Sequence, residues 1–381
     1  MKIHYITPSI MPSRTANSIH VINQCIGFCQ AGYEVTLYSI RHKKSTKESD
    51  IKKYYGVKNK KLTISSLYTF ISIGLNIINT LYFLGNIKKI KNNDLIISRN
   101  LYASFVINIF LRKKSIYETH QLELGFKGFL QKLILNSSIS KTVVISKSLK
   151  EILESKNRIK IKNCYVLHDA APKGNKIKSI NLKRKTLQKI TSLKLDNYLF
   201  ICGYFGHLYK GRGIEIINSL ANHFPKYLFL IFGGNQKDIE ERRRSNKHDN
   251  LIYMGYVKNH EARRLMCCMD SLLMPYQNKV SIGKRNSDTS RWMSPMKMFE
   301  YLSSGVPIFS SNLPVLREIL INNFNSILVS PEDENEWIEK LTLLETNKSL
   351  LKKISKNAFS EYKKFHTWEK RALSIINIAK N

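Results

Sequence analysis

Apolar positions along the 381-residue chain follow two rhythms that take turns. Short β-branched runs, "KIHYIT" (2–7), "EVTLYS" (34–39), "DLIIS" (94–98), "SIYET" (115–119), "TVVIS" (142–146) and "CYVLHD" (164–169), alternate with segments of helical spacing. That alternation predicts βα units and a parallel sheet. From about 170 to 195 the text turns polar and Lys-rich around Pro172 and Gly174, which reads as a linker. The rhythm then restarts with "YLFICGYFG" (198–206), "YLFLIFGG" (227–234), "LIYMG" (251–255), "SLLMPY" (271–276) and "VPIFSS" (306–311). The length exceeds that at which a single core usually keeps growing, so two α/β domains in tandem are expected. Ligands of open parallel sheets bind at the carboxyl ends of the strands, which makes a cleft between the two halves the natural site.

One stretch breaks the pattern. Residues 67–87, "LYTFISIGLNIINTLYFLGNI", carry no charge and are flanked by Lys60, Lys61, Lys88, Lys89 and Lys91. On a helix, Phe70, Ile73, Ile77, Leu81 and Leu84 form a seam, with Ser72, Asn76, Asn79 and Thr80 opposite. The embedded Asn and Gly residues argue against a membrane span. Two readings stay open: a core-packing helix, or an interfacial helix with basic flanks.

Composition changes the picture through charge. Sixty-two Lys and Arg against 28 Asp and Glu give +34, a field that attracts nucleic acid, anionic lipid or phosphorylated small molecules; AT-rich coding, which favours Lys, Ile and Asn, accounts equally well for part of it. The six cysteines show no CxxC pair and no metal-ligand spacing, so neither zinc nor a disulfide framework is expected. The N-terminus lacks the apolar core and cleavage site of a signal peptide, and no run reaches the ~20 apolar residues of a spanning helix. A cytosolic protein is expected.

Three segments carry candidate chemistry. In "FGHLYKGRGIEIINSLA" (205–221) a strand ends at a glycine, a basic loop follows and a helix opens at Gly213. Backbone N–H groups at a helix start, with His207, Lys210 and Arg212 nearby, suit a pyrophosphate; an ordinary solvated basic turn is the alternative. Gly233 and Gly234 follow the next strand and allow close approach to the backbone, as a plain turn also would. Gly255, Tyr256 and Val257 end a third strand, where they could lie against a planar base, and Glu261–Met269 reads as the helix that follows. In "SPMKMFEYLSSGVPIFSS" (294–311) Ser294 can cap and Pro295 can occupy the first helical turn, which frees the N–H groups of Met296 and Lys297. Glu300 is then a carboxylate in an apolar helix. It accepts either from a ribose diol or from Lys297 or Arg317 in a salt bridge.

Taken in order, these segments resemble the nucleotide-sugar domain of glycosyltransferase family 4, which has the GT-B fold. The first half is similar as well, through "PSRTANSIHVINQCIGFCQAGYEVTLYS" (12–39), "ISRNLY" (97–102), "YETHQL" (117–122) and "VISKSLKEIL" (144–153); "HTWEKRA" (366–372) resembles the start of the final helix that crosses back. The resemblance implies two Rossmann-like domains with parallel sheets facing across a cleft. An acceptor domain would span 1–170 plus the C-terminal helix at about 360–381, and a donor domain 171–359.

By the same resemblance, Arg212-Gly213 stands for the family's Lys-Gly, whose cation contacts the donor diphosphate, and His207 stands where an arginine is usual, with Lys210 able to compensate. Glu300 corresponds to the second glutamate of the E-x7-E signature, which holds the ribose. Trp292 replaces the first, so the sugar contact passes to backbone amides around Ser294–Lys297 or to Asp288. His120 matches the histidine near the reacting centre, Asn17, Ser18 and His20 the residues beneath the donor phosphates, and Arg99 and Glu118 are weaker acceptor-side candidates. The implied activity is a retaining, metal-independent transfer from a nucleoside-diphosphate sugar to a glycan or lipid-linked glycan in lipopolysaccharide or capsule synthesis, with no cofactor. The enzyme would be cytoplasmic and peripheral on the inner face of the membrane. A nucleotide-sugar 2-epimerase shares the two-domain fold and is the alternative. A nucleic-acid-binding protein would explain the charge, but no reader element is recognisable, so no specific nucleic acid is expected.

Overall fold

The computed structural model describes residues 1–174, 179–283 and 288–381. The chain forms two compact units, Met1–Ala170 with His366–Asn381, and Ala171–Phe365.

The first unit is built on a seven-stranded parallel sheet: Lys2–Ile10 (β1), Glu34–Arg41 (β2), Leu62–Tyr68 (β3), Leu95–Ser98 (β4), Ser115–Thr119 (β5), Ser140–Val144 (β6) and Cys164–Val166 (β7), in the order β3-β2-β1-β4-β5-β6-β7. Alternate residues of each strand feed opposite layers, as the pleat requires. Ile3, Tyr5, Val35 and Leu37 pack with the Ala16–Gln30 helix and with Ile375 and Ile376 of the Trp368–Lys380 helix. Ile6, Tyr38 and Ile96 pack on the other side with Phe83, Ala103 and Ile107. The last helix belongs to this unit because it lies tightly on the first. A Cβ at Gly27 would come within 2.3 Å of the Trp368 carbonyl oxygen, so only glycine permits the crossing.

The second unit holds six parallel strands among the described residues: Phe200–Phe205 (β8), Tyr227–Phe232 (β9), Leu251–Gly255 (β10), Ser271–Met274 (β11), Ile308–Ser311 (β12) and Ile327–Val329 (β13), ordered β10-β9-β8-β11-β12-β13. Cys202, Tyr204, Phe229 and Ile231 face the layer of the Ile214–His223 and Glu334–Leu341 helices, with Trp337 at its centre. Ile201, Phe205, Leu228 and Leu230 face Leu265, Phe299, Leu302 and Tyr362. Both sheets are parallel, with strand order reversing beside β1 and β8, and both are covered on two sides, as the alternating pattern implied.

Four expectations change in detail. The segment read as a linker contains the Ile180–Thr191 helix, which inserts Leu187 into the core; its residues 175–178 lie outside those described. Residues 67–87 are not one helix, because β3 runs to Tyr68 and helix begins only at Leu75 after Gly74. The helix expected at Glu261–Met269 spans Asn259–Met266. The cap expected at Ser294 is moved one residue: Pro295 holds the N-cap position, extended at ψ 120°, and the helix starts at Met296.

Candidate functional site

In the second unit the loop after β8 and the Met296–Ser304 helix bring cations together. Gly213 is the N-cap of the Ile214–His223 helix at φ 76°, and a Cβ there would meet the Pro275 carbonyl oxygen at 1.7 Å. This tight fit presses the Arg212 loop onto the segment after β11. Arg212 Nη1 donates to the Tyr276 hydroxyl at 3.0 Å and Nη2 to the Ser281 carbonyl at 2.9 Å. Its Nε is buried without a partner.

Lys297, one residue into its helix, points its ammonium at the faces of Tyr204 and Tyr276, 4.0 and 4.6 Å from the ring centroids. Its Nζ is buried and has no hydrogen-bond partner. Burial first, then repulsion from Arg212, pull its pKa well below the usual lysine value, and Glu300 only partly opposes this. Aromatic faces attract a cation but accept no conventional hydrogen bond from it. A cation so held is complementary to an anion.

Glu300 sits one turn further on and is buried. Its Oε1 accepts from Asn259 Nδ2 at 2.8 Å. Burial raises its pKa, with Asn259, Arg263 and Lys297 pulling the other way. Of the two partners expected for a salt bridge, Lys297 acts on it through charge and no bond to Arg317 is formed; Asn259 was not foreseen. Asp288, considered for a sugar contact, instead accepts from the backbone N–H groups of Val280 and Ser290 at 3.0 and 2.9 Å, which closes its own loop.

The remaining residues of this unit lie along the same strand ends. His207 is exposed and stacks on Tyr209 at 4.7 Å, with its pKa lowered by burial, Arg212 and Lys297, so the ring is neutral near pH 7. Lys210 is exposed in the same loop. Gly233 and Gly234 take φ values of 116° and 83° after β9, and Gly233 N–H donates to the Gly255 carbonyl at 2.7 Å. Tyr256 is exposed just beyond β10, Val257 packs against the core, and Ser294 is buried ahead of Pro295 and Met296.

The first unit gathers charges of both signs. Glu118, at the end of β5, is fully buried and accepts from Arg371 Nη2 at 2.9 Å, from His120 Nε2 at 3.0 Å and from the Tyr5 hydroxyl at 2.7 Å. Burial would push its pKa up; Arg371 and the two histidines overcome this and hold it well below the usual carboxylate value. Arg371, reaching in from the last helix, also donates to the His168 carbonyl at 2.9 Å and to the Gln24 side chain. His20 lies edge-on to His120, 4.7 Å between ring centres. Its Nδ1 takes a bond from Arg99 Nη1 at 2.7 Å, so Nε2 carries the proton and donates to Asp169 Oδ1 at 3.0 Å. Burial and Arg99 pull the His120 pKa down to about 3. With Nε2–H given to Glu118, its Nδ1 lone pair is the acceptor this group offers.

His20, His120 and Asp169 place one ligand atom each within 4.8 Å of one another, a spacing that could hold a metal ion. The donors suit one poorly, since Nε2 of both histidines carries a proton directed at a carboxylate and two guanidiniums stand close by.

Asn17 is exposed and donates to Ser9 Oγ at 2.6 Å. Ser18, foreseen beneath a phosphate, is buried, and its hydroxyl is taken up by the Ser13 and Thr15 carbonyls at 3.0 and 2.9 Å. Its role is to brace the loop into the first helix. Gln24, Asp169 and Arg371 were missed, since nothing local in the sequence joins the last helix to β5.

Residues 200–347 match the family described as Glycosyl transferases group 1. An uncharacterized 41.2 kDa protein in the cps region of Klebsiella pneumoniae is 29% identical over 188 residues, 49% of this chain and 45% of that protein. The alpha-galactosylglucosyldiacylglycerol synthase of Streptococcus pneumoniae is 26% identical over 186 residues, 46% of this chain and 45% of the synthase. The chain thus spans about half the length of the curated relatives it matches. The crystal structure of Anabaena HepE in complex with UDP superposes with a TM-score of 0.69 at 14% identity, covering 100% of both chains. The chain has the GT-B fold of these structures, and residues 200–347 are similar to the glycosyl transferases of group 1.

Proposed function

We propose that this glycosyltransferase-domain protein is a retaining, metal-independent enzyme of the family 4 type that moves a sugar from a nucleoside diphosphate to a hydroxyl of a glycan. The observation that carries the reading is the buried Lys297 ammonium, unpartnered beside Arg212 at a helix start in the group 1 domain. A buried cation without an anion is costly, and the diphosphate of a donor supplies the missing charge. HepE, whose fold this chain shares, was crystallised with UDP, which supports a uridine nucleotide as the first donor class to try.

In the transfer, the bond between the sugar C1 and the β-phosphate oxygen breaks, the acceptor oxygen bonds to C1 on the same face, and the acceptor proton leaves with the diphosphate. Negative charge grows on the leaving phosphate, where Lys297 and Arg212 stabilise it without a divalent ion. Glu300, steadied by Asn259, takes the ribose hydroxyls. In the first unit, the Nδ1 of His120 accepts from a sugar hydroxyl and remains neutral because its pKa lies far below neutrality.

The acceptor is proposed to be a lipid-linked glycan of surface-polysaccharide synthesis at the cytoplasmic face of the membrane. The cps location of one relative and the glycolipid product named for another support this. The test is transfer from radiolabelled UDP-sugars to a lipid-linked glycan fraction, with and without EDTA. EDTA-resistant transfer with retained anomeric configuration is expected. Loss of activity that a divalent ion restores would contradict the metal-free mechanism, and conversion of the donor without any acceptor would favour the epimerase.

A further inference from the structure

The Leu75–Gly85 helix turns Phe83 and two polar residues inward and leaves two aliphatic side chains outside. Asn79 and Thr80 are buried, while Ile77 and Leu81, four residues apart, stand 50% and 64% exposed. Asn79 Oδ1 accepts from Asn100 Nδ2 at 3.0 Å, and the Thr80 hydroxyl donates to the Asn76 carbonyl at 2.7 Å, so the inward polar groups are satisfied. The stripe continues into the preceding loop, where Phe70 and Ile73 are 81% and 86% exposed. A helix that served only its own core would not leave an aliphatic stripe of this length outside.

The neighbouring elements repeat the feature. The Leu101–Phe105 helix, continued as Val106–Phe110, packs between the Leu75–Gly85 and Gly125–Asn136 helices on one side of the sheet. It ends in exposed Phe110 and Leu111, and the Gly125–Asn136 helix opens with exposed Leu124, Phe126 and Phe129. Exposed apolar surface on this scale marks an interaction site.

Charge identifies the partner. Lys88, Lys89 and Lys91 follow the first of these helices, Arg112, Lys113 and Lys114 the second, and Lys127 and Lys132 lie in the third. Between Asp50 and Glu118 the one acidic residue is Asp94, and its carboxylate is occupied by the N–H groups of Lys2 and Lys91 and by His4. Apolar side chains with a basic surround match the layering of an anionic bilayer, in which acyl chains lie beneath charged head groups. A second copy would bring like charge against like, and nucleic acid would leave the aromatic and aliphatic side chains without a partner.

We infer that this face of the first unit docks on an anionic lipid surface, with Phe70, Ile73, Ile77, Leu81, Leu124 and Phe126 entering the interface and the lysines at head-group level. The inference rests on the proposed function only for its purpose, bringing the enzyme to a lipid-linked acceptor; the binding stands on the exposed residues themselves.

The full chain is floated with vesicles of phosphatidylcholine alone and of phosphatidylcholine with phosphatidylglycerol, at physiological salt. Binding to the anionic vesicles is expected, with roughly a tenfold or greater loss in a Phe70→Ser, Ile73→Ser, Phe126→Ser variant. Leu373→Ser removes an exposed apolar side chain from the last helix, on the other side of the sheet, and leaves binding unchanged. Thermal unfolding and the UDP-induced shift of each variant report on folding and on the donor site separately, so a failed donor site and a failed membrane face are distinguishable. Absence of anionic-vesicle binding, binding unaffected by the triple variant, or self-association that the triple variant abolishes while vesicles are ignored would each overturn the proposal.

Discussion

The two units share an architecture and handle buried charge in opposite ways. In the first, Glu118, Asp169, His20, Arg99 and Arg371 pair with one another or with backbone carbonyls, and each ionised group meets a partner. In the second, Lys297 meets ring faces and the repulsion of Arg212, which the charge of Glu300 only partly offsets. Paired charge in a protein interior holds a geometry, whereas unpaired charge stores a demand for a ligand. The difference separates a cluster whose charges are paired on folding from one that the proposed donor diphosphate would complete.

The contrast can be broken most severely at Arg371. Replacing it by Met leaves Glu118 ionised, buried and without its main counter-charge, and should destabilise the protein by about 3–5 kcal/mol. Urea unfolding measures this, and Arg371→Lys should recover part of it. Lys297→Met acts in the other direction: the free protein should be as stable as wild type or more so, while affinity for a nucleoside diphosphate falls about a hundredfold, equivalent to roughly 2.7 kcal/mol. Glu300→Gln keeps the shape and the Asn259 contact within reach but weakens the acceptor, so donor affinity should drop about tenfold, read by calorimetry.

The smallest effect concerns pH. Folding pulls His120 from 6.5 down to about 3, so between those values the unfolded chain binds the proton and the folded chain does not. Stability from this group is therefore complete above about pH 6.5 and is lost progressively as pH falls toward 3. The slope of unfolding free energy against pH should flatten in that window in His120→Gln. An unchanged slope would mean that His120 is protonated in the folded protein.

The sequence revealed the parts of this account that are local. The β-branched runs located eleven of the thirteen strands among the described residues, but β3 was missed because Ser65 and Ser66 interrupt its apolar rhythm, and β13 because three residues carry little pattern. The basic loop and the Ser-Pro segment drew attention to Arg212, Lys297 and Glu300, since each motif is contiguous. Arg371 and Glu118 are 253 residues apart, and Asn259 and Glu300 are 41 apart; no spacing rule joins them. The seam at Phe70, Ile73, Ile77 and Leu81 was legible as a stripe, but periodicity states which side chains share a face and not which face turns inward. Only the burial of Asn79 and Thr80 settles that.

The most direct test of the central claim is calorimetric titration of UDP and UDP-sugars into wild type and Lys297→Met, with the thermal stability of both free proteins measured alongside. Binding in wild type, its near loss in the variant, and a free variant at least as stable as its parent are expected. A variant that is less stable than wild type and binds the nucleotide equally well would show that Lys297 is a structural cation, and the assignment of the donor site would fall with it.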